Sequence, residues 1–160
     1  MFNLINIMFA LTNLRNPTMS SLEKRAWLTI WSMCPPYLVY FAIQVAFPHL
    51  LTTMLDRITC LAVVATVHAL VYLSGWLVFR RGERSERVLE DDRDHAIDAR
   101  ATRIAYFVML TAMLLVGVVM PFDQGGWAIT NAALFFVVLT ETMRSALIVL
   151  AYRRGPSLAH

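Results

Sequence analysis

Four stretches of about 20 apolar residues, each bounded by charged, proline or aromatic positions, leave this chain few folds to choose from. They run from Trp27 to Phe47, Ile58 to Phe79, Ile104 to Phe122 and Trp127 to Tyr152. In helical conformation, about 20 apolar residues cover the roughly 30 Å hydrocarbon layer of a bilayer. With 58% hydrophobic and 16% charged residues in a length of 160, the chain has more apolar surface than a soluble domain of that size can cover. The segments Pro48 to Arg57 and Asp123 to Gly126 that join the first pair and the last pair are short, so each pair folds back as an antiparallel hairpin. The predicted fold is all-α: an integral membrane four-helix bundle made of two tandem helical hairpins.

Basic residues fix an orientation for this plan. Lys24 and Arg25 precede the first window, and Arg80, Arg81, Arg84 and Arg87 follow the second. Arg100 and Arg103 precede the third, Arg153 and Arg154 follow the fourth, and the opposite turns hold only Arg57. Cytoplasmic loops carry the excess of Lys and Arg, which predicts a multi-pass protein of the bacterial inner membrane with both termini cytoplasmic. Trp27, Trp31, Trp76, Trp127 and Tyr152 lie near window ends, where amphipathic rings prefer the interface. The expected organisation is an N-terminal cytoplasmic or interfacial segment (1–23), a first hairpin (24–82), a charged cytoplasmic linker (83–98), a second hairpin (99–155) and a tail (156–160).

The net charge of +3 sits mostly at window ends, where it meets headgroups, so no direct nucleic-acid role is expected. Cys34 and Cys60 fall inside apolar windows without metal-type spacing, and neither a disulfide nor a zinc site is indicated. Met1 to Leu14 is apolar but lacks the basic flank and small-residue cleavage site of a signal peptide. It suits a surface-lying helix, or an extension upstream of a true start at Met19.

Shifting the chain against itself by 73 places superposes Pro48 on Pro121, Arg80-Arg81-Gly82 on Arg153-Arg154-Gly155, Phe79 on Tyr152, Ala26 on Ala99 and Thr29 on Thr102. A tandem duplication would make each half a hairpin of the same orientation. Pro35-Pro36 removes two amide donors from the first window and predicts a kink there.

Three ionisable side chains fall deep in the windows: His68, Glu141 and Arg144. His68 lies twelve positions before Arg80 and Glu141 twelve before Arg153, roughly 18 Å from the basic end at 1.5 Å per residue. A charge at that depth costs at least about 2.5 kcal/mol and turns inward to find partners. Glu141 and Arg144 stand at i, i+3, an ion-pair spacing, and His68 is within reach across a bundle. Asn131, Thr142 and Ser145 extend the polar seam. The favoured reading is a satisfied network that fixes helix register or joins protomers of a homo-oligomer. The alternative is a small oligomeric proton-coupled transporter or channel subunit in which Glu141 and His68 exchange a proton. Haem or quinone binding at His68 is a third, weaker reading.

Between the hairpins, residues 80–103 carry acids and bases in near balance. Asp91 or Asp92 suits the N-cap of a helix that runs into the third window, with Asp94 in its first turn and Arg100 and Arg103 at the headgroups. Asp91, His95 and Asp98 would share one side of it, a spacing that can hold a divalent metal, although salt bridges with Arg84, Arg87 and Arg93 account for the same residues better. No metal and no cofactor is assigned. The run Asp92-Arg93-Asp94 followed by Ile97, Arg100, Arg103, Ile104 and Tyr106, with Tyr152-Arg153-Arg154 at the end, resembles a group of uncharacterised small bacterial four-helix membrane proteins with an acidic-Arg-Asp motif before the third span. Some members accompany small helix-turn-helix regulators, so the resemblance implies a cytoplasmic regulatory partner, and it supplies no catalytic residues.

No phosphate-binding Gly-rich loop, nucleophile elbow, paired-His metal motif or dinucleotide fingerprint occurs in the chain, and an enzyme is not expected. The expectation is a non-enzymatic membrane protein acting through contacts, with Asp91, Asp92, Arg93, Asp94, Asp98, Arg100 and Arg103 as its cytoplasmic interaction motif.

Overall fold

The computed structural model describes residues 20–83 and 92–154, and all regular structure among them is helical. Four long helices follow one another: α1 (Ser21–Ala46), α2 (Met54–Glu83), α3 (Asp92–Leu114) and α4 (Gly126–Arg153). α1, α2 and α4 each contain a stretch long and apolar enough to cross a membrane, and the third such stretch lies in Asp92–Phe122, α3 together with the helical turns that follow it. Their outward faces are apolar as well: Val45 is 83% exposed, Leu55 73% and Phe122 89%. Such surface is costly in water and costs nothing in hydrocarbon.

Local chemistry sets the helix ends. The Ser20 hydroxyl accepts the Glu23 amide at 3.2 Å, capping α1 in the Ser-x-x-Glu pattern. α1 continues through Pro35 and Pro36 without a break in its helical run. It stops before Pro48, which opens a 3-10 turn, Pro48–Leu50. α2 starts on a reciprocal box in which the Thr53 amide donates to Asp56 Oδ2 at 3.0 Å and the Asp56 amide to Thr53 Oγ1 at 3.1 Å. The helix thus takes in Asp56 and Arg57, which the apolar pattern leaves in the turn. Beyond α3 the chain widens into a π-helical segment, Leu115–Val119, where the Met120 amide reaches the Leu115 carbonyl. Pro121 explains the change of register, because it has no amide to give and its ring crowds the carbonyl four residues back.

The described residues form two compact units. The first is residues 28–83, the hairpin of α1 and α2. Here Tyr40 is fully buried and its hydroxyl accepts from Gln44 Nε2 at 2.8 Å. Gly75 lets α2 approach Leu28, since a Cβ there would come within 2.3 Å of Leu28 Cδ1. The second unit joins α3 and α4 to residues 20–27, so the opening turns of α1 belong with the second hairpin. The buried face of α3 is Ala101, Ala105, Ala112 and, beyond it, Val116, a single stripe at helical spacing. Small side chains along that stripe admit the backbone of α4 closely, the packing that holds helices together where lipid removes the hydrophobic drive.

Candidate functional site

The polar centre of the second unit is built on Arg144. Its Nη2 lies 2.6 Å from Asp98 Oδ1, its Nε donates to Thr102 Oγ1 at 3.0 Å, and its Nη1 stands 3.8 Å from Glu141 Oε2. Asp98 and Thr102 are four residues apart on α3, one above the other on the same face, so the planar guanidinium lies along one turn of that helix. The i, i+3 partner expected from spacing, Glu141, is the more distant of the two carboxylates. Asp98, assigned by the charge pattern to a water-facing interaction motif, is the closer one, across 46 positions of sequence. Two groups that look separate along the chain are therefore one cluster.

The reason lies in where α3 begins. Asp92 is already helical, twelve residues ahead of the apolar window, with Asp92 and Asp94 in the first turn where the helix dipole favours acids. That extension runs antiparallel to the end of α4, which brings Asp94 to Tyr152 and, one turn on along α3 and two turns back along α4, Asp98 to Arg144. The Tyr152 hydroxyl donates a hydrogen bond to Asp94 Oδ1. Arg93 lies over the Tyr152 ring with its Cζ 5.8 Å from the centroid, and Arg153 lies over the Trp27 ring at 5.4 Å. Ser20 also hydrogen-bonds Tyr152, so one hydroxyl caps α1 and touches the end of α4.

Of the remaining motif residues, Asp92, Arg100 and Arg103 are exposed. Asp91 lies outside the described residues, as do Arg84, Arg87 and the segment 1–19. Asp98 is engaged with Arg144, and Asp91, the first member of the Asp91, His95 and Asp98 grouping, lies outside the described residues; no cluster of three metal-type ligands occurs among the described residues.

His68 belongs to the first unit, where its surroundings are aromatic. Its ring meets Tyr37 edge-on, with centroids 5.6 Å apart and planes at 70°, and meets Tyr72 at 6.4 Å. The 73-residue shift pairs His68 with Glu141, yet the two positions have unlike neighbours: phenol rings around one, a guanidinium beside the other. Tyr37, Tyr40, Gln44, Thr102 and Tyr152 are partners that the search for ionisable residues passes over. Only Tyr152 carried a signal, as an interface ring, and the Ser20-x-x-Glu23 pattern was open to reading as a cap.

Comparisons of the chain with protein-family models, with curated proteins and with solved structures find no match.

Proposed function

We propose that this chain is a non-enzymatic, multi-pass protein of a bacterial inner membrane, with both termini cytoplasmic, that works by contact with a cytoplasmic regulatory partner and with copies of itself. The observation behind this reading is the Arg144 clamp. The one guanidinium deep in α4 is occupied by Asp98, Thr102 and Glu141, which suits a part that holds α3 rigid against α4. Rigidity there serves the segment ahead of the third span, which displays Asp92, Arg100 and Arg103 to solvent. Asp94 and Asp98 face inward and drop out of the contact surface, while Asp92, Arg100 and Arg103 form it. The likeness to the small bacterial four-helix proteins with an acidic-Arg-Asp motif points to the same kind of partner. A photo-crosslinker at Ala96 or Ala99, both exposed, tests the proposal in native membranes. The expected result is one discrete adduct that Asp92→Arg combined with Arg100→Glu abolishes; no adduct, or one indifferent to those changes, removes the contact role.

A second reading rests on the surplus carboxylate. One guanidinium faces two acids, and Glu141, at 3.8 Å, holds the looser contact. In a proton-coupled transporter or channel subunit that looser acid is the exchanging group, and four helices per copy require an oligomer to enclose a path. Proton flux in reconstituted vesicles that disappears with Glu141→Gln supports this reading, and flux unchanged by it dismisses it.

A further inference from the structure

The end of the second unit where α1 begins, α3 begins and α4 stops is basic and aromatic. Lys24, Arg25, Arg93, Arg153 and Arg154 gather there against Glu23, Asp92 and Asp94. Two of the five cations are fixed in a distinctive way: Arg93 lies on the face of Tyr152 and Arg153 on the face of Trp27, and both side chains belong to exposed residues. The acids nearby are partly spent, because Asp94 accepts from Tyr152 and Glu23 acts on Arg153 only through space and is itself hydrogen-bonded by Trp27. Among the described residues, neither Arg93 nor Arg153 forms an ion pair with a carboxylate. A guanidinium held over a ring face by a cation–π contact keeps its N–H groups available to a phosphate. The rings themselves, a Trp and a Tyr at span ends, belong at the depth of lipid headgroups.

We propose that Arg93 and Arg153, laid on Tyr152 and Trp27 where α1, α3 and α4 meet, form a binding site for the phosphate of an anionic membrane phospholipid. The proposal rests on the membrane reading above, and the two fail differently. A chain recovered in the soluble fraction overturns the membrane reading, whereas loss of lipid selectivity in a membrane-extracted chain overturns the site alone. The test is native mass spectrometry of the full chain in detergent, with equal phosphatidylglycerol and phosphatidylcholine, and with inorganic phosphate in a separate arm. One phosphatidylglycerol stays bound under collision conditions that strip phosphatidylcholine. Arg93→Gln and Arg153→Gln each lower its occupancy about fivefold, the factor that corresponds to about 1 kcal/mol per basic residue at an anionic surface. Arg153→Lys, which keeps the charge and loses the stacked fork, lowers it too, and Arg100→Gln with Arg103→Gln leaves it unchanged. Should the Gln variants lose their helical circular dichroism, Arg153→Lys decides, and wild-type retention by that variant overturns the site. Equal retention of phosphatidylcholine, an equal loss in the Arg100/Arg103 variant, or displacement of the lipid by inorganic phosphate also overturns it.

Discussion

Asp98 and Arg144, 46 positions apart in sequence, lie 2.6 Å apart in space and tie the start of α3 to the middle of α4. Both side chains are about one-third exposed, 38% and 32%, so the pair falls between a surface bridge and a fully buried one. Asp98→Asn is expected to lower unfolding stability in micelles by about 1–3 kcal/mol, between the values for exposed and buried pairs. The exchange Asp98→Arg with Arg144→Asp restores part of it. Denaturant titration of the three proteins checks both statements, and equal stability of wild type and Asp98→Asn would refute the clamp.

The Tyr152 hydroxyl, bonded to Asp94 and Ser20, makes a second tie nearer the helix ends, one turn away along α3 and two along α4. Tyr152→Phe removes the hydroxyl and keeps the ring under Arg93. Its expected cost is about 1 kcal/mol, the net value of a typical intramolecular hydrogen bond. In a double-mutant cycle with Asp94→Asn the two losses are less than additive, with a coupling of about 1 kcal/mol. Full additivity would mean the contact contributes nothing.

In the first unit, Gly75 is held small by Leu28. Gly75→Val should destabilise the hairpin by about 1–3 kcal/mol through overpacking, and adding Leu28→Ala should recover most of that loss. Thermal unfolding of the single and double variants gives the answer, and a Gly75→Val protein as stable as wild type would show that the helices have room to spare.

Thr53 and Asp56 cap α2 reciprocally, so the first turn of that helix depends on these two side chains. Thr53→Ala should speed amide exchange at residues 54–57 while leaving the middle of α2 unchanged. Uniform acceleration along the helix would assign the role to packing instead.

The helices were legible because length and apolar content are properties of the chain itself. Ile58 to Phe79 and Trp127 to Tyr152 fall within α2 and α4, and Trp27 to Phe47 overruns α1 by one residue, whereas Ile104 to Phe122 passes from α3 into the π-helical segment and a 3-10 turn; helices also extend beyond their apolar part, as at Asp92, Asp56 and Ser21. The site was legible in its members and not in its pairings. Arg144 and Glu141 stand out by depth, but spacing along one helix pairs them with each other, whereas the choice of Asp98 depends on how far α3 overlaps α4. A run as dense in charge as residues 92–103 looks solvated in sequence, and only the antiparallel overlap turns Asp94 and Asp98 inward. His68 likewise draws attention as an ionisable group, yet its neighbours are phenol rings that no search for charge would find. The π-helical segment has a local cause in Pro121, but sequence alone does not say whether such a proline ends a helix or widens it.

Every part of this account depends on the four helices crossing a bilayer with their basic ends on one side. Single cysteines in a background lacking Cys34 and Cys60, labelled in intact cells with a membrane-impermeant maleimide, test that most directly. Cysteines at Thr52 and Gln124 are predicted to react from outside, and cysteines at Asp92 and Arg154 only after the membrane is opened. Reaction of Asp92 or Arg154 in intact cells, or of one tight turn and not the other, would contradict it.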